Sequence, residues 1–183
     1  MKIIPTSIPD LCIIEPKVIA DDRGYFMESF KQDWFDSNFP GINFIQDNES
    51  KSIKGVLRGL HFQKPPFQQR KLVRVVSGEV LDVAVDLRKS SLTYGKYFSV
   101  VLSAENMQQL FIPSGFAHGF VVLSESAIFS YKVDNPYSPN HDSGIVWNDP
   151  FLNIDWKIEE RKIQLSNKDQ ELPMFDQFQS PFG

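Results

Sequence analysis

The 183-residue chain has one cysteine, three histidines, no excess of basic residues and no long apolar run, and each shortage removes a class of protein. With Cys12 alone there is no intramolecular disulfide, which fits a reducing compartment, and its apolar setting "DLCIIEP" points to the core. Lys and Arg number 19 against 23 Asp and Glu, a formal net charge of -4. That balance argues against a nucleic-acid partner, because phosphate-backbone recognition calls for a basic face. It leaves room for a small anion held by a few local Arg and Lys side chains. The N-terminal "MKIIPTSIPDLCIIEP" is broken by Pro5, Pro9, Asp10 and Glu15, so it lacks the apolar centre of a signal peptide. No later run approaches the ~20 residues needed to span a bilayer. The expectation is a cytoplasmic protein with no membrane association.

What is present is ordinary globular material: 42% hydrophobic and 23% charged residues exclude disorder, and 16 Phe supply a generous aromatic core. No linker, repeat or low-complexity tract divides the chain, so a single domain over residues 1–183 is expected. Between Leu72 and Val85 two apolar, β-branched runs flank "SGE", which reads as a hairpin turning at Ser77 to Glu79. Further strand-like runs follow at Tyr97 to Leu102, Gln108 to Pro113, Ala117 to Leu123 and Ala127 to Val133, each bounded by Gly, Pro, Asn or Ser. Short strands with frequent turn signals predict an all-β sandwich or barrel. Helical signal is confined to Glu28–Phe39, ending at Pro40-Gly41, and to Ser166–Phe175. The final "FDQFQSPFG" reads as a docking or frayed tail.

The stretch "GVLRGLHFQ" places Gly55 and His61 at the spacing of the first metal motif of the cupin jelly roll, G-x5-H-x-H-x3,4-E, and "PSGFAH" supplies Pro113, Gly115 and His118 of the second. The resemblance is to the skeleton of that double-stranded β-helix. Gln63 replaces the second histidine, and Gln68 or Phe67 stands where the glutamate belongs. Amides are poor substitutes for imidazole and carboxylate around a transition metal, and two histidines are too few without recruited carboxylates. A histidine freed from a metal can do proton chemistry, because its ordinary pKa of about 6.5 lets it accept a proton at neutral pH. His61 is therefore a candidate base. His141, in "SPNHDSG", is expected in a solvated loop.

The blocks "DDRGYFMESF", "QDNESKS", "GVLRGLHFQKPPFQQRKLVRVVSGEVLDVAVDLRKSSLTYGKY", "FIPSGFAHGFVVLSE", "YKVDNPYSPNHDSGIVWNDP", "IDW" and "LSNKD" resemble, in order from Asp21 to Asp169, the motifs of the dTDP-4-dehydrorhamnose 3,5-epimerase family. The resemblance implies a metal-independent, cofactor-free jelly roll with short peripheral helices, a cytoplasmic homodimer. It would invert C3 and C5 of dTDP-4-dehydro-6-deoxy-D-glucose on the way to dTDP-L-rhamnose. Both carbons flank the C4 ketone, so deprotonation at either gives an enolate on the same oxygen. In a gluco-configured ring the C3 and C5 hydrogens are axial on one face, within reach of one base, and inversion needs an acid on the other face.

By resemblance His61 is that base and Asp169 its orienting partner. Tyr131 is the proton donor, a phenol of ordinary pKa about 10 with a proton to give. Lys71 matches the donor to the enolate oxygen. Arg23, Arg58 and Lys168 match substrate contacts suited to a diphosphate. Gln46, Asp47 and Asn48 supply further contacts, Phe26 and Glu28 lie around the base, His118 lies near the sugar and Tyr137 forms a wall of the sugar pocket. In the family part of the nucleotide site comes from the partner subunit. Asp142, a ligand contact, stands where members often have glutamate, and Asn167 precedes Lys168 where an acidic residue is common.

Three other readings stay open. A relative of the same fold inverts C3 alone, and proton exchange at C3 without C5 would identify it. A non-catalytic nucleotide-sugar binding module is opposed by the joint presence of His61, Asp169, Tyr131 and Lys71. A metal-dependent cupin would lose activity to a chelator.

Overall fold

A computed structural model describes residues 1–183 throughout. Thirteen strands carry it: β1 (Lys2–Pro5), β2 (Cys12–Glu15), β3 (Val18–Asp21), β4 (Gly24–Met27), β5 (Gln46–Ile53), β6 (Leu57–Gln63), β7 (Lys71–Ser77), β8 (Glu79–Asp86), β9 (Tyr97–Ser103), β10 (Gln109–Ile112), β11 (Phe116–Val122), β12 (Ser126–Val133) and β13 (Asp142–Gly144). The helices α1 (Gln32–Asn38) and α2 (Asn167–Gln170) are short, with 3-10 turns at Glu160–Lys162 and Phe175–Gln177. No helix is long and apolar enough to cross a membrane.

Two antiparallel sheets stack face to face, one in the order β1-β2-β10-β7-β12-β5 and the other β13-β6-β11-β8-β9, while β3 and β4 form a separate ribbon. From β5 onward every connection except β8 to β9 crosses from one sheet to the other, the winding of a jelly roll. This corrects the hairpin expected at Ser77 to Glu79. β7 pairs with β10 and β12, and β8 pairs with β9 and β11, so Gly78 marks a crossing between sheets. Its φ is +79°, and an added Cβ would lie 2.1 Å from the Ser126 carbonyl oxygen, so the turn requires glycine. The misleading signal was two β-branched runs around a tight turn, which serve a hairpin and a crossing equally. What separates them is burial on both faces, which β8 shows from Val80 to Asp86.

Alternation gives each strand two faces with different duties. Val73, Val75, Val80, Ala84 and Phe129 fill the space between the sheets. Leu60, Leu81, Val83 and Val85 point outward and are covered by Trp147, Trp156, Phe175 and Phe182, so the C-terminal tail docks on the five-stranded sheet. On the far side of the six-stranded sheet, Cys12, Ile14, Leu72 and Phe111 lie under α1. Burial pushes the Cys12 thiol up to about 11, in keeping with an inert core position.

The sequence-predicted helix Glu28–Phe39 is shorter than expected, because Lys31 at its N-cap offers no side-chain bond. A seven-residue helix does not hold itself, so its packing face decides. Phe35 is fully buried and its ring stands 5.0 to 5.5 Å from those of Phe30, Phe39 and Phe44. Burying that one side chain is worth about 1.5–3 kcal/mol. The ribbon β3–β4 has no such support: Ile19 and Phe26 face one another in register yet remain 56% and 65% exposed.

Candidate active site

The space between the sheets changes character along the strands. Toward one end the inward positions of β7 and β12 carry Val75 and Ala127; toward the other they carry Lys71 and Tyr131. There the sheets part around a cavity of about 590 Å³, also lined by His61 and His118 from the five-stranded sheet. That size suits a small organic ligand.

Two glycines place the histidines. His61 of β6 and His118 of β11 are cross-strand partners, and beside them, where the register shifts, Gly59 and Gly119 meet back to back. A Cβ on Gly59 would lie 2.5 Å from the Gly119 Cα, and one on Gly119 would lie 2.7 Å from the Arg58 carbonyl oxygen. Gly59 also has φ +137°, a conformation open to glycine. The pattern "RGLH" facing "HGF" is thus the close approach that sets both imidazoles at the cavity.

His61 Nε2 lies 2.5 Å from Asp169 Oδ1. A carboxylate accepts, so Nε2 carries the proton and Nδ1 is the ring's lone pair. Asp169 reaches this position because Ser166 caps α2, its hydroxyl accepting from the Asp169 amide. The segment "SNKD" therefore forms one turn of helix rather than the ten-residue stretch expected, and that turn exists to aim one carboxylate. Burial pushes the Asp169 carboxyl up, but the bond and charge of His61 outweigh it and leave the group below the usual carboxylate range.

From the opposite sheet come Tyr131 and Lys71. Burial pushes the Tyr131 phenol up, with Arg58 opposing, so it is held as an acid. Enclosure lowers Lys71 to about 8, with Asp82 and Asp142 pulling it back up. Arg58 is held by the Ser52 hydroxyl, which accepts from Nε and a terminal nitrogen at 3.1 Å each. At the rim Lys168 pairs with Asp142, which also accepts from the Tyr137 hydroxyl at 2.9 Å.

Of the residues picked out in the sequence, His61, Asp169, Tyr131, Lys71, Arg58, Asn48, His118 and Lys168 line this one cavity. Arg23, Phe26 and Glu28 do not: they lie on the exposed β3–β4 ribbon and the residue after it, with Arg23 paired to Asp21. Gln46 is exposed and donates to Asn48, and Asp47 points to the other side of β5, where Lys132 pairs with it. Tyr137, expected in the wall of the sugar pocket, lies at the rim of this cavity, 59% exposed with its hydroxyl bonded to Asp142. His141 does lie in a loop, but it is half-buried rather than solvated, bonded to the Ser138 hydroxyl with its ring 4.6 Å from that of Phe67 at a tilt of 46°.

Gln63, standing where the metal motif has its second histidine, is buried and bonded to the backbone of Phe67, Pro136 and Ser138. Its amide ties two loops together. No three His, Cys, Asp or Glu side chains are grouped to hold a metal. Sequence reasoning missed Asp82, wholly buried and 3.0 Å from His118 Nε2 through both oxygens. The available signal was a carboxylate in the otherwise apolar run "VLDVAV".

A family model described as dTDP-4-dehydrorhamnose 3,5-epimerase matches residues 5–177. The chain is 56% identical over 170 residues to the dTDP-4-dehydrorhamnose 3,5-epimerase of Shigella flexneri, covering 92% of this chain and 93% of that one. The crystal structure of the Elizabethkingia anophelis dTDP-4-dehydrorhamnose 3,5-epimerase superposes with a TM-score of 0.91 at 52% identity, covering 96% of this chain and 97% of that one. A Legionella pneumophila dTDP-6-deoxy-D-glucose-3,5-epimerase, solved in complex with dTDP-4-keto-L-rhamnose, gives 0.93 at 47% identity over 97% of this chain and 94% of that one. Matches that span the whole sandwich at this identity leave no other assignment: the chain belongs to the dTDP-4-dehydrorhamnose 3,5-epimerase family.

Proposed function

We propose that the cavity binds dTDP-4-dehydro-6-deoxy-D-glucose and that His61 and Tyr131 invert C3 and C5 by removing a proton from one face and returning one to the other. The observation that carries this reading is the placement of the two residues on opposite sheets of the sandwich, across one cavity. His61 Nδ1, its lone pair fixed by the Nε2 bond to Asp169, takes the axial proton next to the ketone. The electron pair moves onto the C4 oxygen, where the Lys71 ammonium donates a hydrogen bond. Tyr131 then protonates the same carbon from the opposite face, and solvent restores both residues before the second carbon is inverted. The ketone supplies all the activation, so no cofactor takes part.

Arg58, fixed by Ser52, offers forked donors to the diphosphate, with Lys168 and Asn48 beside it. The β3–β4 ribbon supports a homodimer: it leaves Ile19, Tyr25 and Phe26 uncovered in its own chain, and Arg23 and Glu28 would complete the nucleotide site of a second copy. The enzyme then works in the cytoplasm, on a soluble nucleotide sugar.

The test is proton NMR of dTDP-4-dehydro-6-deoxy-D-glucose in deuterated buffer with wild type and His61→Ala. Exchange at C3 and C5 in the wild type and at neither in the variant supports the mechanism. Exchange at C3 alone makes the protein a single epimerase, and wild-type exchange rates in the variant dismiss His61 as the base.

A further inference from the structure

The mechanism leaves one buried carboxylate unused. Asp82 sits at the middle of β8 on the face that looks between the sheets, flanked on that face by Val80 and Ala84 of the apolar core. An ionised carboxylate there is costly unless charge and hydrogen bonds compensate it. Both its oxygens accept from His118 Nε2 at 3.0 Å. That bond makes Nε2 the donor and leaves Nδ1 as the acceptor of a ring that lines the cavity. Burial pushes His118 down, with Asp82 opposing, so the ring is neutral and brings Asp82 no charge.

The charged and titratable groups meeting this corner are Lys71 from β7, Asp82 from β8, His61 and Arg58 from β6, His118 from β11, Tyr131 from β12, Glu49 from β5, Asp142 from β13, and Lys168 and Asp169 from α2. Two of the anions have partners of their own, Asp169 in His61 and Asp142 in Lys168. Asp82 also has an imidazole for a partner, but His118 is enclosed with it between the sheets, and that ring lines the cavity together with Lys71, which stands on the inward face of β7 and forms no ion pair there. We propose that Asp82 is a positioning residue: its carboxylate is the counter-charge that holds the Lys71 ammonium in the cavity, and it locks His118 with Nε2 as donor and Nδ1 as acceptor. The role rests on the epimerase reading, in which Lys71 meets the enolate oxygen.

Asp82→Asn separates charge from bonding, since the amide oxygen can still accept from His118 while the charge is gone. The measurements are the Lys71 Nζ titration by ¹⁵N NMR without substrate, and the pH profile of C3 and C5 exchange. The expected result is a Lys71 midpoint lower by about one unit or more, as for loss of a nearby opposite charge. The alkaline limb of the rate profile moves with it, and the rate gap to wild type closes toward pH 6. An unmoved Lys71 midpoint, or a loss of rate equal at every pH, overturns the counter-charge. Should Asp82→Asn fail to fold, ring ¹⁵N shifts of the wild type decide: a neutral His118 protonated at Nε2 is required, and a cationic or Nδ1-protonated ring at pH 7 overturns the proposal. Wild type that exchanges neither carbon sinks the epimerase reading and the role with it, whereas an unmoved Lys71 in an active enzyme sinks this inference alone.

Discussion

Asp169→Asn isolates what the carboxylate does for the base. The bond from His61 Nε2 is 2.5 Å and its acceptor is buried, so asparagine fits the same space and can accept through its amide oxygen. What it cannot do is stabilise the imidazolium that forms when His61 takes the substrate proton. Two unit charges about 4 Å apart interact by about 4 kcal/mol at an effective dielectric of about 20. At about 1.4 kcal/mol per tenfold in rate, the ceiling is about a thousandfold. The His61 side chain is 30% exposed and water screens part of this, so a loss of about 10²- to 10³-fold is expected. The assay is initial-rate deuterium uptake into dTDP-4-dehydro-6-deoxy-D-glucose, with dTDP binding by calorimetry as the control for an intact site. Since one base serves both carbons, C3 and C5 must slow by the same factor. A variant within tenfold of wild type, or one that slows at one carbon only, would refute the dyad.

Tyr131→Phe removes the acid and keeps the base, so deuterium should still enter at C3 and C5 with retained configuration while inverted product falls by about 10²- to 10⁴-fold; undiminished inversion by NMR would move the acid elsewhere. Lys71→Met should cost about 10²- to 10³-fold in kcat. Wild-type rate should decline as pH rises past about 8, where the Lys71 ammonium is lost, and the Met variant should lack that limb. Asp86 tests stability rather than rate. Burial pushes its carboxyl up, but bonds from Arg88, Ser91 and Thr93 outweigh this and hold it below the usual range. A depressed folded pKa stabilises fully above the unfolded value of about 3.9 and loses that contribution as pH falls through the folded one. Asp86→Asn should therefore cost about 3 kcal/mol at pH 7 by urea unfolding, with the difference shrinking in acid; an equal difference at both pH values would contradict the linkage.

The sandwich was legible because β-branched runs and turn residues are local signals, and β9 to β12 each lie within a few residues of their expected places, while the three-residue β13 gave no such signal. Pairing was not legible. "VVSGEV" has the same local chemistry in a hairpin and in a crossing, and only the partners of β7 and β8, up to 62 residues away (Val133 from Lys71), decide between them. The two helices were overdrawn for a related reason: α1 is held by Phe35 packing and α2 by the Ser166 cap, so each ends where that support ends. The pairing of His61 with Asp169 spans 108 residues and came from resemblance to a family, not from spacing. Asp82 escaped because a lone carboxylate usually means a wet face. The readable clue was the absence of any other polar residue from Val80 to Val85, which makes the strand dry on both faces and demands a partner for its one charge.

Two histidine–aspartate pairs stand side by side on adjacent strands, and their surroundings divide the labour between them. In the first, Asp169 comes from a helical turn outside the sheet and His61 stays partly open, the setting that the proposed base needs to trade protons with substrate and solvent. In the second, Asp82 and His118 are both enclosed by the sandwich, and burial holds His118 neutral with its donor already committed. A ring that cannot easily charge is a poor base and a good fixed acceptor. The same residue types at one register of one sheet thus suit a moving proton on the proposed mechanism and a stationary one, and it is depth in the sandwich that separates them. On the proposed mechanism, Tyr131 on the facing sheet gives each reacting carbon a second wall of different chemistry, which is what inversion of configuration requires.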